Sequence, residues 1–102
     1  MELSRSIHSV DDLSSLIQKS DLAKRFHISK LGIFGSFARG EKSNDIDLLI
    51  EDSISLDDAL ELKLALEELT GTQIDIVLSQ YANPIVLHRA KKDLCYVKIS
   101  SK

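Results

Sequence analysis

Residues 31–50, with the sequence LGIFGSFARGEKSNDIDLLI, decide the fold of this chain. Two runs of mainly apolar residues in and around this stretch each predict a short β-strand, and a Gly-Ser pair at 35–36 ends the first of them. The expected bounds are 30–34 for the first strand, 37–39 for one helical turn before Gly40, 41–44 for a polar turn and 45–51 for the second strand.

Hydrophobic periodicity and capping residues predict the elements on either side of this stretch. Ser9 with Asp12, and Ser55 with Asp58, form capping boxes that each begin a helix. Ser20-Asp21 is a further possible cap, so the first helical segment is either one helix or two. In that segment we expect an apolar stripe of Leu13, Leu16, Ile17, Ala23 and Phe26. The second helix is expected to run from Ser55, with Leu60, Leu64 and Leu66, and to stop near Gly71. The remaining expected elements are a strand at Gln73–Leu78, a helix from Asn83-Pro84 to about Asp93, and a final edge strand at 95–99.

The order α-β-β-α-β-α-(β) predicts a mixed β-sheet flanked by helices, in the α/β or α+β class. Length and composition predict a single globular domain over residues 1–102, since 43% of the residues are hydrophobic and 28% are charged. A domain of this size buries only a shallow core. We therefore expect an active site in an open groove, or one that a partner completes, and not a deep pocket.

The net charge of −3 predicts no strong binding to nucleic acid or to an anionic membrane. Residues 41–75 hold eleven Asp and Glu against two Lys, which suits a metal site, while residues 80–102 hold five Lys and Arg against one Asp. The single Cys95 excludes an internal disulfide, and we expect it in the core. With no signal peptide and no apolar run near the ~20 residues of a membrane span, the expected location is the cytoplasm.

Asp45 and Asp47 are the first candidate site residues. Residues two apart in a strand point to the same face, so both carboxylates would project together while Ile46 points to the other face. A divalent cation would relieve their mutual repulsion, and Mg²⁺ prefers such hard oxygen ligands. Taken alone, however, an Asp-x-Asp pair is more often a turn residue and an exposed strand residue than a metal site.

Asp75 lies between Ile74 and Ile76 in the third predicted strand. If the second and third strands pair, the strand spacing of ~4.8 Å places Asp75 beside the other two carboxylates. Three carboxylates on that spacing match a site for two metal ions, which clamp the attacking and leaving oxygens of a phosphoryl displacement. The alternative is a solvated Asp75 on an edge strand, and the sequence does not decide whether the strands pair.

Gly35 and Ser36 present free backbone N–H groups and a hydroxyl at the end of a strand, which suits a triphosphate, although most Gly-Ser pairs are simple turns. The segment is not a P-loop, because Glu41 is inserted before the lysine. Arg39 could neutralise a departing pyrophosphate, or it could form a surface pair with Glu41 or Asp45.

The histidines and tyrosines of the sequence do not indicate a further site. His8, His27 and His88 show no metal-ligand or triad spacing, so we expect them to be structural or exposed. For Tyr81 and Tyr96, packing is the favoured role, with the seating of a nucleoside base as the alternative.

The combination of these motifs resembles a known family. Gly35-Ser36-x-Ala38-Arg39-Gly40, then Asp45-Ile46-Asp47-Leu48-Leu49-Ile50, then a strand-borne Asp75, is similar to the minimal nucleotidyltransferases of the DNA polymerase β-like nucleotidyltransferase superfamily. The resemblance covers nearly the whole chain. It implies a mixed sheet with helices, a triphosphate held at Gly35 and Ser36, and magnesium at Asp45 and Asp47. Asp75 would be the third carboxylate of the metal site, near the metal ion that activates the acceptor hydroxyl.

The same resemblance implies a function. Many such proteins are antitoxins that transfer AMP from ATP to a tyrosine of a HEPN-domain ribonuclease partner, so we expect an enzyme with two Mg²⁺ ions, ATP as substrate and a HEPN partner. The alternatives are a binding module that neutralises its partner by contact alone, and nucleotidyl transfer to a small molecule or an RNA end; a homo-oligomer stays open. Residues 41–44 are fewer than is usual in the family, with Asn44 where Ser is common, which puts nucleotide access in question.

Overall fold

The computed structural model describes residues 9–41 and 45–97. Its first helix, α1, spans Val10–Ser20, and the Ser9 hydroxyl accepts a hydrogen bond of 3.2 Å from the backbone N–H of Asp12. Asp21 adopts a left-handed conformation (φ 67°) that interrupts the helix, and α2 follows at Leu22–Arg25. The first helical segment is therefore two helices.

The decisive stretch forms β1 at Leu31–Phe34, α3 at Gly35–Ala38 and β2 at Asp45–Ile50. The helical turn begins at the glycine itself, two residues before the expected start. Its early start brings the N-terminus of α3 to the end of β1, so the Gly-Ser pair is the first turn of the helix and not a separate loop.

The second half of the chain follows the predicted order. The long helix α4 spans Leu56–Thr70, with Ser55 as its N-cap and Gly71 in a left-handed conformation (φ 70°) at its end. The remaining elements are β3 at Gln73–Leu78, a 3₁₀ turn at Ser79–Tyr81, α5 at Pro84–Asp93 and β4 at Cys95–Val97. The expected extension of the last strand to residue 99 lies outside the described residues.

The four strands form one mixed sheet in the order β3-β2-β1-β4. β1 runs antiparallel to both β2 and β4, while β2 and β3 are parallel. The second and third strands of the sequence therefore pair, which confirms the mixed sheet and leaves β3 at one edge.

One face of the sheet carries the main core. Leu31 and Ile33 of β1 and Ile46, Leu48 and Ile50 of β2 pack with α1 and α4 in a single buried cluster. Of the three leucines that the sequence marks in α4, Leu66 is 1% exposed, whereas Leu60 and Leu64 are 56% and 54% exposed. The buried residues of α4 are Ala59, Leu62, Leu66 and Thr70, which follow the 3.6-residue period from a different starting point.

The opposite face is only partly covered. Helix α5 and the residue after it lie over β1, where a Cβ on Gly32 would meet the Leu94 side chain. Asp45, Asp47 and Leu49 share this face with Gly32, because Gly32 pairs with Leu49 in the register. The half of the face over β2 and β3 is where the carboxylates lie.

Several single-residue expectations are corrected or confirmed. Cys95 is exposed and not in the core, because it lies on the short edge strand β4. Neither tyrosine is packed in the core: Tyr81 is 63% exposed and Tyr96 is 44% exposed, with Lys30 Nζ 4.6 Å from the centroid of its ring. His27 and His88 are exposed, and His8 lies outside the described residues; no helix in the described part of the chain is long and apolar enough to cross a bilayer.

Candidate active site

Asp45 and Asp47 project from β2 on the face opposite the main core. Both are half-buried, whereas Ile46 between them is only 1% exposed and packs in the core. This is the alternation that the sequence predicts for a strand. The two carboxylates therefore point to the same, more open side of the sheet.

Asp75 stands directly beside Asp47. The two residues are register partners in the parallel pair of β2 and β3, and Asp45 pairs in the same way with Gln73. Partners in neighbouring strands have parallel side-chain directions at a spacing of ~4.8 Å. Asp75 is exposed, so of the three carboxylates it is the one most open to solvent.

Gly35 brings the end of β1 against the same carboxylates. Phe34 pairs with Asp47, and Gly35 follows it with φ +80°, a conformation that L side chains rarely adopt. A Cβ at position 35 would overlap the Oδ2 atom of Asp47. Glycine relieves the strain of this backbone, and any side chain here would have to displace the Asp47 carboxylate. Half-buried Ser36 follows it in the first turn of α3.

The crowding of the carboxylates has an electrostatic consequence. Burial, and then the negative charges of Asp75 and Asp45, raise the pKa of Asp47 above its ordinary value. The ionised form of Asp47 is therefore less favoured than that of an ordinary aspartate. A bound cation would reverse that effect, because it favours the charged form of each carboxylate.

The donor set fits magnesium, but the described residues do not form a closed metal cage. Within residues 9–41 and 45–97, no group of three or more His, Cys, Asp or Glu could hold a metal ion by itself. Mg²⁺ is usually held by one or two carboxylates, several waters and the phosphates of the substrate. The pair of half-buried carboxylates in β2 supplies hard oxygen ligands of that kind and leaves the remaining positions to the nucleotide.

Arg39 is held by two carboxylates. Its Nε and Nη2 donate to Glu41 at 2.9 and 3.2 Å, and its Nη1 donates to Asp93 at 2.7 Å. These bonds raise the pKa of Arg39 further above its already high value. The surface pair with Glu41 that the sequence left open is present, and the contact with phosphate stays a prediction.

Asp93 was not among the sequence candidates. It lies 54 residues from Arg39, at the end of α5, and its bond to Arg39 ties α5 to the turn after Gly35. No local motif marks this carboxylate, because the contact exists only once α5 packs over β1. The expected effect of the short 41–44 turn falls mainly on residues 42–44, which lie outside the described residues.

The fold of this chain matches that of known nucleotidyltransferases. A solved structure of a putative minimal nucleotidyltransferase superposes with a TM-score of 0.64 at 28% identity, over 88% of this chain and 97% of that one. The family model described as polymerase β, nucleotidyltransferase, matches residues 17–98. The chain belongs to this nucleotidyltransferase family.

Its relatives include named enzymes. The chain is 30% identical to the protein adenylyltransferase MntA of Thermococcus cleftensis over 94 residues, which cover 86% of this chain and 95% of the relative. It is 34% identical to a putative protein adenylyltransferase of Methanocaldococcus jannaschii over 84 residues, covering 78% and 86% of the two chains.

The fold is also that of nucleotidyltransferases in toxin–antitoxin complexes. A toxin–antitoxin structure with AMP-PNP matches with a TM-score of 0.68 at 20% identity, over 86% of this chain and 74% of that one. A structure described as a tri-AMPylated Shewanella oneidensis HEPN toxin in complex with an MNT antitoxin matches with a TM-score of 0.65 at 17% identity, over 89% and 73%. At these identities the likeness concerns the fold.

Proposed function

We propose that this chain is a magnesium-dependent protein adenylyltransferase that moves AMP from ATP to a tyrosine hydroxyl of a HEPN-domain partner and thereby acts as an antitoxin. The observation that carries the proposal is the register pair of Asp47 and Asp75 beside the Gly35 strand end. The named adenylyltransferase relatives and the AMPylated toxin in a complex of the same fold support the choice of donor and acceptor. Such a reaction belongs in the cytoplasm, where ATP and magnesium are available.

Each candidate residue has a role in this proposal. Asp45 and Asp47 would hold magnesium, and the backbone of Gly35 with Ser36 would hold the triphosphate at the start of α3. When bound, magnesium neutralises phosphate charge and polarises the α-phosphate. Arg39 would receive the departing pyrophosphate through the N–H groups that Glu41 and Asp93 leave available.

Asp75 is suited to the acceptor side of the reaction. The hydroxyl oxygen of the acceptor forms a bond to the α-phosphorus, the bond from that phosphorus to the bridging oxygen breaks, and pyrophosphate leaves. The hydroxyl proton passes to the Asp75 carboxylate, which lies within reach of solvent and therefore of an incoming protein. The products are an adenylylated tyrosine and pyrophosphate.

The test uses α-labelled ATP, magnesium and the purified product of the adjacent reading frame, which we expect to be a small helical protein with an Arg-x-x-x-x-His motif. Wild-type chain should transfer label to that protein, and Asp45→Asn and Asp47→Asn should not. Asp11→Asn is the matched control, because Asp11 is an exposed aspartate on α1, which packs on the other face of the sheet. Labelling that survives both site variants would refute the proposal.

One observation favours a second candidate function. The site is open, with Asp75 exposed, so the chain could instead neutralise its partner by contact alone. Asp45→Asn and Asp47→Asn would then inhibit the partner ribonuclease as well as wild type does. Label found on a small molecule or an RNA end, and on no protein, would point to the third reading.

A further inference from the structure

An apolar groove lies at the free edge of the sheet, close to the candidate active site. It has a volume of about 380 Å³ and runs between the start of α4 and the start of α5. We call this feature the edge groove, and its lining residues include Leu56, Val77, Tyr81 and Val86. Because β3 is an edge strand, no further strand of the sheet covers the groove in the described residues.

Several large apolar side chains in and beside the edge groove are exposed to solvent. Leu56 and Tyr81 are each 63% exposed and Val86 is 42% exposed, with Ile85 beside it at 65%. Contiguous exposed apolar side chains of this size mark interaction sites in soluble proteins, and edge strands are surfaces that natural proteins otherwise protect. The groove therefore has the character of a docking surface.

One lining residue of the groove lies two positions from the carboxylate assigned to the acceptor. Val77 follows Asp75 by two residues in β3, so the two side chains share a face about 7 Å apart along the strand. The site is open to solvent at Asp75 and does not enclose an acceptor. An acceptor held by a neighbouring surface gains a large effective concentration at the reacting atoms, which an open site cannot otherwise supply.

The charges around the groove select the kind of occupant. Asp57 follows Leu56, Glu61 lies one turn further along α4, and Asp75 lies beside Val77, while Arg89 lies one turn beyond Val86 on α5. The surroundings are thus mainly acidic, and the chain itself has a net charge of −3. A second copy of this chain bound at the groove would bring acidic residues together, whereas an apolar segment flanked by basic residues complements the surface of the groove.

We propose that the edge groove docks the acceptor protein itself, through an apolar segment flanked by basic residues, so that the acceptor hydroxyl is held over Asp75. The inference rests on the proposed function and adds to it the surface that selects the acceptor. Docking anchors of this kind usually concentrate binding free energy in a few buried side chains. Single substitutions in the groove should therefore have large effects.

The experiment compares Leu56→Asp and Val86→Asp with a matched control, Leu69→Asp. Leu69 is also an exposed leucine of α4, at 40%, but it lies in a different pocket with Leu22 and Arg25. With the adjacent reading-frame product as acceptor, the two groove variants should raise KM for the acceptor about tenfold or more, with little change in kcat or in KM for ATP. The control should stay close to wild type, and circular dichroism should show all three variants folded.

A second measurement separates docking from transfer. In the Asp47→Asn background, calorimetric binding of the same acceptor protein should be lost on adding Val86→Asp and kept on adding Leu69→Asp. If wild type transfers AMP to the acceptor and the groove variants do so equally well, only the docking inference is overturned. If the acceptor binds in a groove-dependent way but receives no AMP, only the proposed adenylylation is refuted. Absence of binding to the groove-intact chain also overturns the inference, as does a wild-type dimer that the groove variants convert to monomers.

Discussion

Asp47 combines a predicted catalytic role with a cost to the fold. Its charge faces Asp75 and Asp45 on the same sheet face, and like charges in neighbouring strands destabilise a sheet. We predict that Asp47→Asn abolishes AMP transfer yet increases the free energy of unfolding at pH 7 in metal-free buffer, by less than about 1 kcal/mol because water screens the half-exposed group. Urea denaturation would measure the change, and a less stable variant would contradict the crowding described above.

Gly35 offers a residue-scale test with a built-in control. Gly35 and Gly40 both have φ +80°, but a Cβ at 35 meets the Asp47 carboxylate, whereas a Cβ at 40 meets nothing within 4 Å. We predict that each Ala variant loses about 1–2 kcal/mol of stability through the left-handed backbone, and that only Gly35→Ala also loses nucleotide binding and transfer. Titration with a fluorescent ATP analogue would separate them. Equal binding by both variants would show that the contact with Asp47 has no part in the site.

At the scale of elements, Glu67 joins α4 to β3. Its carboxylate accepts hydrogen bonds from Lys63 Nζ at 2.8 Å and from the backbone N–H of Ile74 at 3.0 Å, and these hold the pKa of Glu67 below its ordinary value. A lowered pKa in the folded state means that the stabilisation is present above the ordinary value of 4.5 and is lost as the pH falls through the lowered value.

We therefore predict that Glu67→Gln lowers the thermal midpoint at pH 7, and that the difference from wild type narrows below pH 4.5 and vanishes below the lowered pKa. Thermal denaturation across this pH range would measure it. Glu68→Gln is the matched control for removing a carboxylate, because Glu68 is the next residue of α4 and its side chain is exposed. If the difference in thermal midpoint between wild type and Glu67→Gln stays constant with pH, the substitution acts through packing and not through the charge of Glu67.

At the scale of the whole molecule, ligand binding should stabilise the fold. A ligand that binds only the folded state adds about 2.7 kcal/mol when present at one hundred times its dissociation constant. We predict that magnesium with a non-hydrolysable ATP analogue raises the thermal midpoint of wild type and of Asp11→Asn, but not of Asp45→Asn or Asp47→Asn. Sodium chloride at equal ionic strength is the control for screening, and an equal rise in all four proteins would argue against metal binding at these carboxylates.

Much of the secondary structure could be predicted, because its signals are local. The Ser9 and Ser55 caps, the Gly71 stop, the Pro84 start and the alternation around Ile46 all act within a few residues, and each has the predicted role in the structure. The buried face of α4 could not be predicted in the same way. That helix has leucines on several sides, so its orientation against the sheet decides which of them are buried.

Some features of the candidate site were likewise predictable from local sequence, and others were not. The sequence alone determined that Asp45 and Asp47 share a strand face and that a Gly-Ser pair ends the preceding strand, because both follow from backbone geometry over neighbouring residues. Only the tertiary structure decided that Asp75 pairs with Asp47, that a side chain at position 35 would collide with the same carboxylate, and that Arg39 is bound by Asp93. These contacts join residues distant in the chain. They form only when burial of the main core aligns β2 with β3 and when α5, with Ala90 buried, packs over β1 on the opposite face of the sheet.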